Sequence, residues 1–87
     1  MKSYTVESFW SCYKNIDIKK KALVKKAYYI WKNNPFYPSL HFKCINYEEN
    51  IWSVRVCRGY RALCIFENDI VTWFWIGNHD EYSKYFG

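Results

Sequence analysis

The sequence lacks the features that mark membrane and secreted proteins. No apolar run approaches the roughly 18 residues that a membrane-spanning helix requires. The N-terminal segment MKSYTVESFW has no apolar region followed by a cleavage site of small residues, as a secretory signal peptide would have. These absences predict a cytoplasmic protein with no membrane partner.

Cysteine pairs with metal-binding or redox spacing are also lacking. The four cysteines are scattered, and none forms a Cys-x-x-Cys pair. His41 and Cys44 have a spacing that occurs in metal sites, but no second pair completes four ligands. We therefore expect no metal and no cofactor. Because free cysteine behaves as a small hydrophobic residue, we expect four reduced and mostly buried thiols: Cys12, Cys44, Cys57 and Cys64.

The chain has no repeats, low-complexity segments or linkers. Its 87 residues are 51% hydrophobic and 24% charged, a balance typical of a folded soluble protein. A chain of this length buries one core, so residues 1–87 are predicted to form a single domain.

Acidic residues are scarce in the first half of the chain. Up to Lys43, nine lysines stand against only Glu7 and Asp17, and the formal net charge of the whole chain is +5. This excess favours a polyanionic partner, either nucleic acid or an acidic protein segment. The alternative is that the lysines merely solvate a helix face. The 20 aromatic residues (5 Trp, 9 Tyr, 6 Phe) can fill a core, or provide stacking surfaces or a partner groove.

Helical spacing precedes strand spacing along the chain. Residues Glu7 to Lys14 and Asp17 to Asn33 have helical periodicity, and helices joined so closely are predicted to form an antiparallel hairpin. After Pro38 the period becomes two, and four strands are predicted: His41–Ile45, Ile51–Cys57, Tyr60–Phe66 and Asp69–Ile76.

The short connections between these strands require antiparallel neighbours. Lys2–Val6 is a candidate short first strand, and the last eleven residues are expected to form a short helix or tail. The predicted fold class is α+β, with an N-terminal helical hairpin packed on a curled four-stranded antiparallel sheet.

All three arginines lie within seven residues of the central hairpin, at Arg55, Arg58 and Arg61. Alternate residues of a strand share a face. If the apolar residues that alternate with Arg55, among them Val54, face the helices, then Arg55 and Arg61 point out from the opposite face of the sheet, which the helices leave open. The two side chains can then converge on one anion. By the same alternation Trp73 and Trp75 share a face, where core packing or a partner groove is expected for both.

Three segments, NPFYPSLHFK, SVRVCRGYRAL and WFWIGNHDEYSKYF, together resemble the RelE/ParE superfamily of bacterial toxins, notably its RelE- and HigB-like members. The resemblance covers nearly the whole chain and implies the RelE-like microbial ribonuclease fold. It also implies a toxin of a type II toxin–antitoxin system that cuts mRNA in the ribosomal A site and so inhibits translation. A cognate antitoxin neutralises such toxins, which contact operator DNA only through it.

The implied endonuclease reaction is attack of the ribose 2′-OH on the adjacent phosphate, which needs no metal. By the resemblance, Arg61 matches an arginine that contacts the scissile phosphate, and Arg55 falls where RelE has a lysine assigned to proton transfer or charge stabilisation. His79 falls near a C-terminal catalytic cation. Tyr82 and Tyr85 are alternatives for a tyrosine that orients substrate or stacks on a base.

Lys43, Arg58 and His41 complete the candidates, as ligands for RNA or phosphate. Arg55 departs from the family pattern, because a guanidinium stays charged and is a poor proton shuttle. Glu48 and Glu49, in a predicted turn, are candidates for the base.

Purely structural roles are the alternatives for these side chains. Arg61 would then form an ion pair with Glu48 or Glu49, and Arg55 would cover apolar surface with its stem. Arg58 and Lys43 would be solvated, and His79 would cap a helix or lie on the surface.

Two other functions compete with the endonuclease. A non-enzymatic ParE-like toxin would bind DNA gyrase, although that class generally lacks the His/Tyr tail. An inactive relative would keep the fold only to bind an antitoxin, since one fold can serve several functions.

Overall fold

The computed structural model describes residues 1–86, apart from the side chain of Tyr85, and its two N-terminal helices precede an antiparallel meander. The elements are β1 (Lys2–Thr5), α1 (Glu7–Tyr13), α2 (Ile18–Asn33), β2 (Lys43–Asn46), β3 (Ile51–Cys57), β4 (Tyr60–Glu67), β5 (Ile70–Asn78) and α3 (His79–Tyr85). A short 3₁₀ helix, Pro38–Leu40, precedes β2. This order confirms the predicted α+β class and the short C-terminal helix.

The boundaries of α2 follow from its capping residues. The Asp17 carboxylate accepts a hydrogen bond from the backbone N–H of Lys19 at 2.9 Å, as an N-cap does. At the other end, Asn34 precedes a proline and adopts an extended conformation, which stops the helix. Ala27 and Trp31, four residues apart on one side of the helix, are buried.

The five strands form one sheet in the order β1-β5-β4-β3-β2. The strands from β2 to β5 pair antiparallel in sequence order, which confirms the predicted meander. β1 adds a parallel strand beside β5, with Lys2 opposite Ile70. The sheet therefore has five strands and is mixed, whereas four antiparallel strands were the expectation.

β2 begins later than the sequence pattern predicts. His41 ends the 3₁₀ helix in the left-handed conformation, with φ of 47°, and its backbone N–H donates to the Pro38 carbonyl at 3.3 Å. A residue in that conformation cannot continue a strand. The prediction that His41 starts the first strand of the meander is therefore wrong.

The helices α1 and α2 cover one face of the sheet. α1 packs on β5, and α2 packs on β3. Trp52 and Val56 pack against this core beside Val54, which confirms that this apolar set faces the helices. The buried core contains Phe9, Ile16, Ala27, Trp31, Leu40, Phe42, Val54, Ala62, Cys64, Val71, Trp73 and Ile76. We call the opposite side of β2–β5 the open face.

A β-bulge in β5 separates the two tryptophans of that strand. The pairing with β4 passes from Leu63 opposite Trp75 to Cys64 opposite Trp73, so Phe74 is an extra residue. Trp73 consequently faces the helices and is only 5% exposed, whereas Trp75 lies on the open face. The prediction that the two share a face is wrong, because the bulge interrupts the period of two.

All four cysteines are free thiols, as predicted, but only one of them is fully buried. Burial raises the pKa of the Cys64 thiol to about 12, against a smaller lowering by a hydrogen bond with the Trp52 backbone. Cys12, Cys44 and Cys57 are half-buried, so the expectation of mostly buried thiols is wrong for them. Across residues 1–86, no helix is both long enough and apolar enough to span a membrane.

Candidate nucleic-acid interface

Three cations from three adjacent strands share the open face. Lys43 lies opposite Ser53 in the β2–β3 pair, and Arg55 lies opposite Arg61 in the β3–β4 pair. Directly opposed residues of an antiparallel pair point to the same side, and so do alternate residues of one strand. Lys43, Arg55 and Arg61 therefore project from the same face, which confirms that the two arginines share it.

The two arginines are close enough to repel each other. The Cβ atoms of directly opposed residues are about 5 Å apart, and like charges at such a pair are destabilising. Within residues 1–86 an ion pair joins the Met1 amino group to Asp69 at 3.2 Å, but neither arginine has a carboxylate partner. The interpretation of Arg61 as an ion-pair partner of Glu48 or Glu49 is wrong.

Glu48 and Glu49 lie in the turn between β2 and β3. The Glu49 backbone N–H donates to the side-chain oxygen of Asn46 at 3.0 Å, which fixes this turn at the start of β3. Arg55 is four residues further along the strand than Ile51, or about 13 Å at the usual rise. The turn therefore holds neither carboxylate beside the arginine pair.

The start of α3 is fastened to the turn between β3 and β4. Asn78 is the N-cap, and its side-chain oxygen accepts a hydrogen bond from the Glu81 backbone N–H at 2.8 Å. The His79 backbone N–H donates to the Gly59 carbonyl at 2.7 Å. The interpretation of His79 as a capping residue is therefore wrong, and its imidazole is exposed at the surface.

The aromatic rings of α3 connect His79 to Arg61. The guanidinium carbon of Arg61 lies 5.7 Å from the centroid of the Tyr82 ring, in a cation–π contact. The Tyr82 ring lies 6.1 Å from the His79 imidazole, and the two rings are nearly parallel at 19°. Arg61, Tyr82 and His79 thus form a continuous row. A guanidinium that rests on a ring face still has its N–H edges to donate to a phosphate.

The remaining sequence candidates lie at the margin of this row or away from it. Arg58 is exposed in the β3–β4 turn, next to the glycine that accepts from His79. His41 is exposed before β2. Tyr85 belongs to α3, but its side chain lies outside the described residues. The structure therefore brings Arg55, Arg61, His79 and Tyr82 together, with Lys43 on the neighbouring strand.

The sequence interpretation missed two residues that support this site. Asn78 could have been found, because an Asn followed three residues later by Glu81 is a helix-start signal. Trp75 could not have been found from the sequence, because it lies beside α3 only as a result of the β-bulge at Phe74. Its ring centroid lies 5.4 Å from that of Phe86 and 6.5 Å from that of Tyr82.

A second surface feature lies on the helix side of the sheet. A cleft of about 740 Å³ separates α1 and β1 from α2, and its lining is mostly apolar. Trp10 and Tyr28 line it and are 50% and 41% exposed, and Lys25 adds a positive charge. The indole N–H of Trp31, another lining residue, is buried and has no hydrogen-bond partner among the described residues.

Comparison with known sequences assigns a family. Residues 17–84 match the ParE-like toxin domain. No curated protein matches the chain significantly.

Solved structures of several toxins have the same fold. The RelB–RelE antitoxin–toxin complex from Methanococcus jannaschii contains a chain that matches with a TM-score of 0.76 at 15% identity, covering 97% of this chain and 99% of that one. YafQ from E. coli strain BL21(DE3) matches at 0.69 and 13% identity, over 98% of this chain and 97% of that one. The YoeB/ParE toxin from Agrobacterium tumefaciens matches at 0.67 and 16% identity, over 91% and 99%.

Proposed function

The chain belongs to the ParE-like toxin family, and on that premise we propose that it is the toxin of a type II toxin–antitoxin pair and cuts mRNA on the ribosome. The observation that carries the proposal is the pair Arg55–Arg61, which has no carboxylate partner within residues 1–86 and lies beside the Tyr82 ring, with the His79 ring next to Tyr82. Two guanidinium groups on one face, with an aromatic ring and an exposed imidazole beyond them, suit a phosphate ligand and a proton transfer. We infer that such a toxin works in the cytoplasm, where ribosomes are.

The proposed reaction is attack of a ribose 2′-OH on the adjacent phosphorus, with departure of the 5′-oxygen. Arg55 and Arg61 would bind the non-bridging oxygens and stabilise the charge that develops on them. His79 would donate or accept the transferred proton, since an imidazole can do either through its ring nitrogens. Tyr82 would hold Arg61 in place or stack on a base. Lys43 and Arg58 would bind flanking phosphates of the RNA.

The test is cleavage of mRNA on programmed ribosomes. Wild type is expected to cut, whereas Arg61→Ala and His79→Ala are expected to lose the activity while staying folded. Lys26→Ala, which removes an exposed cation of α2, is the matched control and should cut normally. If His79→Ala still cuts mRNA, the proton must be transferred by another residue. No cleavage by folded wild type would contradict the endonuclease.

We further propose that an acidic antitoxin segment neutralises the toxin and lies in the cleft between α1 and α2. The cleft is mostly apolar and Lys25 lines it, which suits a partner segment that is both apolar and acidic. The antitoxin bound to RelE in the Methanococcus jannaschii structure is a precedent for the partnership. Any contact with operator DNA would be made through that antitoxin.

The partnership is tested by binding to the product of a short acidic open reading frame adjacent to this gene, which the proposal predicts. Trp10→Lys, on the cleft wall, is expected to weaken binding strongly. Tyr47→Lys is the control, because Tyr47 is 89% exposed in the turn after β2 and does not line the cleft. Equal binding by both variants would place the antitoxin elsewhere.

The family match also favours a second candidate, inhibition of DNA gyrase by protein contact. A supercoiling assay distinguishes the two functions. Inhibition of gyrase without cleavage of ribosome-bound mRNA would replace the endonuclease proposal, and the reverse would exclude the gyrase candidate.

A further inference from the structure

Gly77 is buried in β5 directly opposite Arg61. A Cβ atom at this position would lie 2.7 Å from Cζ2 and 2.8 Å from Cη2 of the Trp75 indole. Both separations are shorter than real Cβ contacts, so a side chain here would displace the indole. The backbone φ of Gly77 is not in the positive region, so any residue could adopt its conformation. Glycine at this position therefore leaves the space that the Trp75 indole occupies.

The indole that fills this space supports α3. Trp75 contacts the rings of Phe86 and Tyr82, and the three rings form one cluster, since Tyr82 and Phe86 also contact each other at 6.1 Å. Tyr82 in turn contacts His79 and Arg61. A shift of the indole would therefore also move Tyr82 and His79, the candidate site residues that lie on α3.

α3 depends on such contacts because it is short. It has seven residues, fewer than the roughly 12–15 that an isolated helix needs for stability in water. The Asn78 cap and the hydrogen bond from His79 to Gly59 fix its first turn only. The Trp75 cluster fixes the rest of the helix against the sheet.

We propose that Gly77 is a positioning residue of the candidate site. By leaving room for the Trp75 indole, it lets α3 dock, which keeps Tyr82 against Arg61 and His79 against Tyr82. The consequence for RNA cleavage rests on the proposed function, whereas the consequence for α3 docking does not.

Four proteins test the proposal: wild type, Gly77→Ala, Trp75→Phe and the double variant. Phenylalanine lacks the two indole carbons that the new Cβ would meet. One readout is the backbone amide NMR resonances of residues 79–84, and the other is the rate of mRNA cleavage on ribosomes. Gly77→Ala is expected to shift these resonances and to lower the rate by on the order of 100-fold, as a 1 Å misplacement can.

The decisive comparison is the effect of Gly77→Ala in the presence and absence of the indole. In the Trp75→Phe background, the same substitution is expected to change little further, because both changes act through the indole. Trp52→Phe is the matched control, since Trp52 packs on the helix side of the sheet. In that background Gly77→Ala should keep its full effect. If Gly77→Ala alone fails to fold, restoration of the fold by Trp75→Phe leads to the same conclusion.

Three outcomes would contradict the proposal. Equal effects of Gly77→Ala in the wild-type and Trp75→Phe backgrounds would overturn the proposal, as would unchanged resonances of residues 79–84 in Gly77→Ala. The proposal would also be overturned if Gly77→Ala fails to fold and the added Trp75→Phe substitution does not restore the fold. If wild type does not cleave mRNA but the NMR pattern is as expected, the docking role of Gly77 stands and the proposed function fails.

Discussion

The two faces of the sheet use tryptophan in different ways. On the helix side, Trp73 is 5% exposed, and its ring meets that of Trp31 edge-to-face at a centroid distance of 5.2 Å. Its indole N–H donates to the Ser3 hydroxyl at 3.0 Å. On the open face, Trp75 is half-buried against α3. It lies two residues before Gly77, the residue directly opposite Arg61. One tryptophan belongs to the core, and the other supports a short helix that carries candidate site residues.

Charge makes the same distinction between the faces. The buried core cluster on the helix side consists of apolar side chains and the Cys64 thiol. The open face places Arg55 directly opposite Arg61 with no carboxylate partner in residues 1–86. A locally unfavourable pair in an otherwise consistent fold is the pattern expected of a functional site. The comparison teaches that the main aromatic core lies on one face and the candidate site on the other.

Truncation of the two tryptophans gives the sharpest test of this difference. Trp73→Ala is expected to lower the free energy of unfolding by about 3–5 kcal/mol, because it empties a close-packed site. Trp75→Ala should cost about 2 kcal/mol, since less of that side chain is removed from water. Urea unfolding of the two variants and wild type measures both values. Equal costs would mean that the open face contributes to stability as much as the core does.

The pH dependence of stability tests the apolar character of the helix side. The pKa of Cys64 is raised from 9.0 to about 12 in the folded protein, so the folded state holds the proton more tightly than the unfolded state. The contribution of Cys64 is therefore fully present below about pH 9 and is lost as pH rises towards 12. Raising the pH from about 8 to about 10.5 should therefore lower the contribution of Cys64 to the free energy of unfolding by about 2 kcal/mol.

Cys64→Ala isolates that contribution from other groups that titrate in the same range. The loss of stability between the two pH values, measured by urea unfolding, is expected to be smaller in Cys64→Ala than in wild type. Cys57→Ala is the control, because Cys57 is half-buried at the end of β3. Identical pH dependence in wild type and Cys64→Ala would show that this thiol is not held neutral by the core.

The helices and the meander were predictable because local signals and periodicity agree there. The bounds of α2 follow from Asp17 and from the proline after Asn34, and β3 has the predicted ends Ile51 and Cys57. The shared face of Arg55 and Arg61 followed from alternation on regularly paired strands. Where period and pairing are regular, residue numbers suffice to assign a face.

Features that depend on long-range pairing were not predictable in this way. The bulge at Phe74 changes the face of Trp75, and no local signal in WFWIG marks it. The parallel pairing of β1 with β5 joins residues that are nearly 70 positions apart, such as Lys2 and Ile70. The space at Gly77 is visible only after the direction of the Trp75 indole is known.

Removal of the α3 cap tests how firmly the open face holds this helix. Asn78→Ala is expected to lower the free energy of unfolding by about 1 kcal/mol, the usual cost of an N-cap, since it removes the bond to the Glu81 N–H. Asn15→Ala, which removes an exposed side-chain bond to the Ser11 carbonyl at the C-terminal end of α1, is the control and should cost less. A negligible effect of Asn78→Ala would mean that the other contacts of α3, among them the His79–Gly59 bond and the Trp75 cluster, position the helix without its cap.

The smallest expected effect is a gain in stability on removal of one arginine charge. Arg55→Met keeps an unbranched stem and removes the repulsion with Arg61, so the free energy of unfolding should rise by a few tenths of a kcal/mol at low salt. The gain should disappear near 0.5 M salt, where the Debye length is only about 4 Å. Arg58→Met, in the exposed turn, should show no such gain.

Urea unfolding of Arg55→Met and Arg58→Met at low and high salt measures this effect. A salt-dependent gain confined to Arg55→Met would show that the arginine pair is held together at a cost to the fold. The same substitution should weaken RNA cleavage, so one change would raise stability and lower activity. If Arg55→Met is instead destabilising at low salt, the guanidinium contributes to the fold, and the contrast between the two faces fails at the position where it is strongest.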